Sequence, residues 1–174
     1  MNIVLIGYRC SGKTSVGRIV AKDMDKSFMD TDSIIEDRAG SPIEDIISKG
    51  GWQSFREIEK EVIKGISDGE NLVIATGGGV VMDKENVRNL KKNGFLVWLK
   101  GSLKVLKERM DRDIRSGQGR PSLTGENPLE EIKKVLDIRD PLYSDACDYA
   151  IDTSHLSVEE VAGLIIHNVI SESN

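Results

Sequence analysis

Residue types that mark several common protein classes are scarce in this sequence. It contains two cysteines, Cys10 and Cys147, and two histidines, His155 and His167. Their spacing fits neither a zinc site nor a Ser-His-Asp triad, so we expect no catalysis of those two kinds. With so few cysteines, a reducing compartment is the expected location.

Long apolar runs and basic runs are missing as well. The longest apolar stretches have only the length of a strand, which excludes a membrane-spanning helix, and no cleavable signal pattern precedes the first strand. Acidic residues number 29 against 24 basic ones, a net charge of −5, which disfavours nucleic acid as a partner. We therefore expect a cytoplasmic protein that binds neither membrane nor nucleic acid.

No repeat, low-complexity tract or linker divides the 174 residues, so we expect a single domain over residues 1–174. Short apolar segments alternate with helical patterns, which predicts a parallel α/β sheet with helices on both faces. The strand candidates are Asn2–Ile6, Ser27–Met29, Leu72–Ala75, Phe95–Leu99 and Tyr149–Ile151. Capping signals predict helix starts near Thr14, at the box Ser41-Pro42-Ile43-Glu44, and after Asp83, Ser102, Asn127 and Ser157. The helix after Asn127 is expected to end near Arg139.

The strongest motif follows the first strand. Gly7-x-x-x-x-Gly12-Lys13-Thr14 has the spacing of a P-loop, and it lies between a strand and a helix as that motif requires. Backbone N–H groups of such a loop converge on phosphate oxygens, Lys13 reaches the terminal phosphates and the Thr14 hydroxyl can ligate magnesium. The predicted nucleotide-binding residues are Cys10, Ser11, Gly12, Lys13, Thr14 and Ser15.

Cys10 can be interpreted in two ways. Arg9, Lys13 and the start of the next helix lie beside it and favour a reactive thiolate. The alternative is a buried, inert thiol that packs as a small apolar side chain.

Two aspartates follow the second predicted strand, in the stretch FMDTD. Alternation along an extended chain places Asp30 and Asp32 on the same side, at the edge where α/β sheets bind ligands. One carboxylate could hold magnesium, and the other could accept a hydrogen bond from a substrate hydroxyl. The alternative is that one of the two merely caps the following helix, and Asp32 could have both roles.

Two further motifs are candidates for a ligand site. In WQSFREIEKEV, Glu59 falls within the apolar stripe of a predicted helix, three residues after Arg56. The pair is either a surface ion pair or a carboxylate that holds the guanidinium ready to bind an anion. The third strand is followed by Gly77, Gly78 and Gly79, which let a ligand approach the backbone closely.

Residues 111–125, DRDIRSGQGRPSLTG, lack apolar periodicity and interrupt the alternation of elements. The segment is either a solvated loop or an active-site lid. We favour a lid, because long loops in compact α/β domains often have that role and this one carries Arg112, Arg115 and Arg120.

Together these motifs resemble those of the shikimate kinases. The P-loop, FMDTD, FREIE, GGG, GRP and RDPLY occur in the order and approximate spacing of that family, from Ile3 to Asp152. The resemblance implies a nucleoside-monophosphate-kinase-like P-loop fold with five parallel strands in the order 2-3-1-4-5, flanking helices and a mobile lid. It also implies that ATP phosphorylates the 3-hydroxyl of shikimate, with Mg²⁺ as the cofactor.

The same resemblance assigns roles to individual residues. The implied shikimate contacts are Asp32, Arg56, Gly77, Gly78, Gly79 and Arg139, with the two arginines on the carboxylate. The implied magnesium ligands are Thr14 and Asp30, and the implied catalytic residues are Lys13, Asp32 and Arg120. Beyond the P-loop, the implied ATP contacts are Arg112, Arg120 and His155, although Arg109 competes with Arg112 for the adenine. Cys10 departs from the family pattern, which often has glycine there, and so does Ser122 after Pro121.

Other functions stay open as alternatives. A small kinase for gluconate or a nucleoside monophosphate would share the P-loop but would leave Arg56 and Arg139 without a clear use. A GTPase-like switch is disfavoured because the guanine-reading motif Asn-Lys-x-Asp is missing. A nucleotide-binding regulator without catalysis is the third alternative, although every expected catalytic side chain is present. We expect a monomer whose partners are small-molecule substrates.

Overall fold

The computed structural model describes residues 1–115 and 127–172. Its strands are β1 (Asn2–Ile6), β2 (Ser27–Asp30), β3 (Leu72–Ala75), β4 (Gly94–Lys100) and β5 (Tyr149–Asp152). Its helices are α1 (Lys13–Asp23), α2 (Thr31–Ala39), α3 (Ile43–Ser67), α4 (Lys84–Lys91), α5 (Leu103–Arg115), α6 (Pro128–Ala146) and α7 (Val158–Glu172), with a 3-10 turn over Val80–Met82. Within these ranges no helix is both long enough and apolar enough to span a membrane.

The strands form one parallel sheet in the order β2-β3-β1-β4-β5, which confirms the order implied by the resemblance. The register places Asp30 beside Ala75, and Ala75 beside Leu5. The carboxyl ends of β1, β2 and β3 therefore lie at the same edge, which is where ligands bind in sheets of this kind.

Both faces of the sheet are buried, which explains why its strands are continuously apolar. Ile3 and Leu5 of β1 pack with α1 and α7, whereas Val4 and Ile6 face α3, α4 and α6. A smaller apolar cluster joins α2 to α3, and another joins the P-loop to α5 and α6. The helices that carry the site are thus fixed to the sheet edge by packing.

Three local predictions were wrong. The helix α6 continues through Pro141 to Ala146, because Tyr143 and Ala146 are buried in the core and this packing outweighs the cost of an internal proline. No side chain caps α3 at Pro42, so the capping box does not form, and the backbone N–H of Ile43 instead donates to Glu36 Oε1 at 3.0 Å. Residues 111–115, expected in the lid, belong to α5.

The helix α3 has a kink at Gly51, whose φ of 71° and ψ of 178° are not helical. This backbone conformation is open almost only to glycine. The kink separates the first turns of α3, residues 43–50, from the longer part that carries Arg56 and Glu59.

Candidate active site

The P-loop connects β1 to α1 and encloses the ammonium group of Lys13. Gly12 precedes α1 in a left-handed conformation with φ of 99°, which a residue with a side chain rarely adopts. Lys13 Nζ donates to the carbonyl oxygens of Gly7, at 2.8 Å, and Tyr8, at 2.7 Å. The lysine is only 8% exposed, and its charge is held at the start of α1, where the helix already favours anions.

A cavity of about 290 Å³ opens in front of this loop, and we call it the phosphate cavity. Its lining includes Lys13, Thr14, Asp30, Asp32 and Gly78. The structure therefore brings together the predicted phosphate-binding and magnesium-binding residues with the predicted catalytic aspartate.

Asp30, and not Asp32, caps the helix that follows β2. Asp30 Oδ1 accepts the backbone N–H of Asp32 at 3.0 Å, and Asp30 Oδ2 accepts the Thr14 hydroxyl at 2.8 Å. Asp32 already lies in the first turn of α2, so the expected alternation along a strand does not apply to it. Both carboxylates still line the phosphate cavity, because a helical turn and a strand end converge there.

Thr14 and Asp30 fit a magnesium ion by the chemistry of their donor atoms. The hydroxyl and the carboxylate oxygen are already within hydrogen-bond distance of each other, and magnesium prefers oxygen ligands. Among residues 1–115 and 127–172, no cluster of three or more His, Cys, Asp or Glu side chains could hold a metal. An ion at Thr14 and Asp30 would therefore take its other ligands from phosphate and water.

A second cavity of about 260 Å³, which we call the arginine cavity, lies on the other side of Gly78. Arg56 and Arg139 both line it, together with Asp32, Glu59 and the glycines 77–79. Apart from Glu59, these are the residues that the family resemblance assigned to the second substrate. Asp32 and Gly78 line both cavities.

Glu59 fixes Arg56 within the arginine cavity. Arg56 Nη1 donates to Glu59 Oε2 at 2.6 Å, and the glutamate side chain is 1% exposed whereas that of the arginine is 29% exposed. Burial raises the pKa of Glu59, and the nearby Arg56 guanidinium opposes that rise without cancelling it. The geometry is that of a held guanidinium rather than a surface ion pair.

The three glycines make room for the polar side chains around them. A Cβ atom at Gly79 would overlap the guanidinium of Arg56, and one at Gly77 would lie 2.8 Å from Asp32 Oδ1. The Gly77 N–H donates to Thr31 Oγ1 at 3.0 Å. The glycine loop is thus tied to α2 while Arg56 and Asp32 reach across it.

The other side of the glycine loop is held by α6. Arg139 Nη1 donates to the Gly78 carbonyl oxygen at 3.0 Å, and the buried Tyr143 hydroxyl donates to the same oxygen. Burial raises the pKa of Tyr143, so its hydroxyl stays a donor at neutral pH. Sequence reasoning missed Tyr143, although it lies in the RDPLY motif.

The outer wall of the arginine cavity is apolar and comes from α3. Its members are Ile43, Ile47, Trp52 and Phe55. The Arg56 guanidinium carbon lies 5.5 Å from the centre of the Trp52 ring and 5.0 Å from that of Phe55. Ring faces and guanidinium attract each other, so the wall also helps to orient Arg56.

A third cavity of about 490 Å³, the outer cavity, continues from the P-loop toward α7. Cys10, Ser11, Gly12 and Ser15 line one side, and Arg109 and Arg112 line the other. His155 is exposed and is not in the lining, which Thr153 and Leu156 supply from the same loop. The structure therefore does not bring His155 to the predicted nucleotide site.

Arg109 and Arg112 differ in how they are held. Arg109 donates to the carbonyl of Thr153 at 2.8 Å and to its hydroxyl at 3.1 Å, with longer contacts to the Cys10 and Ser11 carbonyls. Arg112 Nε donates to a carbonyl one turn earlier in its own helix, at 3.3 Å. Arg109 thus links the P-loop to the segment after β5.

Cys10 has the features of an inert thiol. Its Sγ atom lies 3.2 Å from Asp113 Oδ2, and burial together with this carboxylate raises its pKa to about 12. The opposing charges of Arg9 and Lys13 are smaller influences, so the thiolate interpretation is wrong. Its φ of 60° is left-handed, which explains why a glycine suits this position.

Part of the predicted site lies outside the described residues. These are Arg120, Ser122 and the remainder of the expected lid, 116–125. Within the described part, sequence reasoning missed the cavity-lining Tyr8 and gave Arg9 no role in binding. Both occupy variable positions of the P-loop motif, which carries no signal for them.

Comparison with known proteins gives one consistent result. Residues 9–170 match the family model described as shikimate kinase. The shikimate kinase of Thermodesulfovibrio yellowstonii is 47% identical over 173 residues, which cover 99% of this chain and 97% of that protein. That of Caldanaerobacter subterraneus is 41% identical over 169 residues, covering 97% and 96%.

Solved structures agree with these relatives. Shikimate kinase from Acinetobacter baumannii, in complex with shikimate, superposes with a TM-score of 0.90 at 35% identity, covering 98% of this chain and 93% of that one. The enzyme from Aquifex aeolicus superposes with a TM-score of 0.82 at 32% identity, covering 99% and 98%.

Proposed function

This chain belongs to the shikimate kinase family, and we propose that its phosphate cavity binds ATP while its arginine cavity binds shikimate. It is an ATP-dependent phosphotransferase that transfers the γ-phosphoryl group to the 3-hydroxyl of shikimate, giving shikimate 3-phosphate and ADP. Asp32 and Gly78 line both cavities, and this shared wall is the observation that supports the assignment most directly.

Arg56 and Arg139 would hold the carboxylate of shikimate. The cavity that they line is partly apolar, so charge-assisted hydrogen bonds to a carboxylate are stronger there than in water. Glu59 fixes Arg56 and Gly78 fixes Arg139 before substrate arrives. Less ordering is then required on binding, which favours affinity.

The P-loop would hold the triphosphate by its backbone N–H groups and Lys13. When bound at Thr14 and Asp30, magnesium would neutralise phosphate charge and orient the β- and γ-phosphates. The outer cavity would receive the nucleoside, with Arg112 and Arg109 as the two arginines that could contact adenine, since both line it.

Asp32 would act on the hydroxyl that attacks phosphorus. It accepts the hydrogen bond of the 3-hydroxyl and then its proton, while the oxygen forms a bond to the γ-phosphorus. The bond between that phosphorus and the bridging oxygen of ADP breaks, and ADP leaves with the electron pair. Lys13 stabilises the charge on the transferring group, so catalysis depends on positioning and electrostatics.

Three further assignments complete the proposal, of which the role of Arg120 comes from the resemblance. Arg120 would add a positive charge to the transferring group from a lid, and Arg120→Ala should lower kcat while leaving KM for shikimate unchanged. We also propose that the protein acts as a monomer. Its composition suits the reducing cytoplasm. Analytical ultracentrifugation and cell fractionation test these two assignments.

A coupled assay for ADP release tests the function. Shikimate, gluconate and nucleoside monophosphates are supplied separately, with and without magnesium. We expect ADP only with shikimate and only when magnesium is present. Turnover on gluconate or a monophosphate without turnover on shikimate would assign the arginine cavity to a different substrate, and tight ATP binding without any turnover would indicate a regulator.

A further inference from the structure

Arg9 lies between the two cavities, and the proposed function gives it no role. Among the described residues, Lys13 lines the phosphate cavity but not the arginine cavity, and Arg56 and Arg139 line the arginine cavity but not the phosphate cavity. Arg9 lines both. During transfer the phosphoryl group moves away from Lys13 in the phosphate cavity and toward the arginine cavity. Arg9 is the arginine that lines the walls of both.

A buried carboxylate holds Arg9 in this position. Arg9 Nη2 donates to Glu131 Oε1 at 2.6 Å, and the glutamate side chain is 1% exposed. The guanidinium carbon also lies 5.7 Å from the centre of the Tyr8 ring. Glu131 belongs to the first turn of α6, the helix that also supplies Arg139. A buried ion pair of this length fixes the direction of the guanidinium.

We propose that Arg9 is a further catalytic residue, which contacts the phosphoryl group during transfer and stays on the 3-phosphate of the product, and that Glu131 is its positioning residue. This proposal rests on the proposed function. Arg9 exchanges no proton in the step: phosphorus leaves the bridging oxygen of ADP and bonds to the 3-oxygen, whose proton goes to Asp32.

The chemistry of the guanidinium suits this role. It carries five N–H donors in a fixed plane, so a bond to Glu131 is compatible with further bonds to phosphate oxygens. A cation that contacts the group in both cavities favours the transition state between them, because charge is developing there on the phosphoryl oxygens.

The competing explanation is purely structural: the ion pair would only fasten the P-loop to α6. The two explanations differ in which ligand is affected. If the ion pair has only a structural role, its loss should lower thermal stability and weaken the binding of shikimate and of shikimate 3-phosphate equally. If Arg9 contacts the phosphoryl group, its loss should selectively weaken the binding of shikimate 3-phosphate.

The test compares Arg9→Met, Arg9→Lys and Glu131→Gln with the wild type. Arg38→Met is the matched control, since Arg38 Nη2 also lies 2.6 Å from a carboxylate, Glu61 Oε2, but that pair is exposed and away from the cavities. Calorimetric titration gives Kd for shikimate and for shikimate 3-phosphate, steady-state kinetics give kcat and KM, and thermal scans give Tm.

For Arg9→Met we expect kcat to fall and Kd for shikimate 3-phosphate to rise, each by at least about tenfold, while Kd for shikimate changes by less than about twofold. Arg9→Lys should recover part of the loss, and Glu131→Gln should shift the same two quantities by smaller factors. Arg38→Met should match the wild type. Equal weakening of both ligands, or a loss that follows Tm alone, would overturn the proposal.

Failure of this inference can be told apart from failure of the proposed function. If wild-type protein does not phosphorylate shikimate, the proposed function is wrong. If wild-type protein is active and Arg9→Met and Arg9→Lys bind the product as tightly as Arg38→Met does, only the role of Arg9 is wrong. Arg9→Lys keeps the positive charge, so it decides the question even if Arg9→Met does not fold.

Discussion

The phosphate cavity and the arginine cavity share Asp32 and Gly78, yet they are built from differently distributed parts of the chain. Lys13 is held by the carbonyls of Gly7 and Tyr8, six and five residues away. Arg139, by contrast, is held by the carbonyl of Gly78, which is 61 residues away. The position of Lys13 is thus set within one loop, whereas that of Arg139 is set only once the glycine loop after β3 and α6 have packed together.

The two cavities also differ in the protein groups that contact the ligand. A P-loop offers backbone N–H groups, which remain after almost any side-chain substitution. The arginine cavity offers side chains whose own partners, such as Glu59, must be in place. Substitutions near the phosphate cavity should therefore act on the chemical step, and those in the arginine cavity on binding of one substrate.

The largest effect is expected from Lys13→Ala. We expect kcat to fall by about a thousandfold or more, because the charge nearest the transferring group is lost. The ADP-release assay measures it, with Lys22→Ala as control, since Lys22 is an exposed lysine of the same helix. A loss that appears only as a raised KM for shikimate would contradict the separation between the two cavities.

Asp32→Asn should follow, with a fall in kcat of about a hundredfold to a thousandfold, because asparagine cannot take the proton of the hydroxyl. Since Asp32 lines both cavities, KM for shikimate should rise as well. Asp37→Asn changes an exposed aspartate of the same helix and is the control. Near-normal turnover in Asp32→Asn would remove this residue from the mechanism.

Arg56→Lys and Arg139→Lys should each raise KM for shikimate by about tenfold or more while KM for ATP stays unchanged. Lysine keeps the charge but loses the planar pair of donors that a carboxylate matches. Steady-state kinetics with each substrate varied in turn measure both constants. A selective rise in KM for ATP would show that these arginines serve the nucleotide.

The buried Glu59 predicts a smaller effect, on stability. Its folded-state pKa is raised above the ordinary 4.5, so the folded protein binds that proton more tightly than the unfolded chain does. The resulting stabilisation is complete below about pH 4.5 and is lost as pH rises through the raised pKa. Relative to Glu59→Gln, which cannot ionise, the wild type should therefore lose free energy of unfolding as pH increases.

Urea unfolding of both proteins between about pH 4 and pH 8 measures this difference. Activity adds a second readout, because Glu59→Gln should loosen Arg56 and raise KM for shikimate. A stability difference that stays constant with pH, or that increases in favour of the wild type, would show that Arg56 outweighs burial.

The smallest effect is expected at Cys10. With a pKa of about 12, this thiol should react slowly with iodoacetamide at neutral pH, and the rate should rise with pH as thiolate forms. Cys10→Gly should keep activity, because glycine accepts the left-handed backbone without strain. Mass mapping with Cys147 as internal comparison follows the reaction. Rapid loss of activity through Cys10 at neutral pH would restore the thiolate interpretation.

The same contrast explains how much could be predicted from the sequence. The P-loop motif and the contacts of Lys13 were predictable, because they join neighbours in the chain, and the strand order followed from the family resemblance. The surroundings of Tyr8, Arg9 and Cys10 were not, because their contacts come from α5 and α6. The partners of Arg139 and Arg9 were not predictable, because Gly78 and Glu131 come close only through the packing of α6. That one of the two aspartates caps α2 could be predicted, but periodicity could not resolve that it is Asp30.

One feature of the arginine cavity bears on how this enzyme could acquire other substrates. The glycine loop forms one wall from main-chain atoms, and a side chain at Gly78 would come within 3.3 Å of the Arg9 backbone nitrogen. Substitutions in that wall can therefore change the shape of the cavity very little. The cavity is also lined by Ile43, Glu44, Ile47 and Ser48, all of which precede the kink at Gly51. Libraries designed for new acceptor alcohols should therefore randomise these positions before the kink. The acceptor site can change shape there while the residues that bind phosphate stay the same.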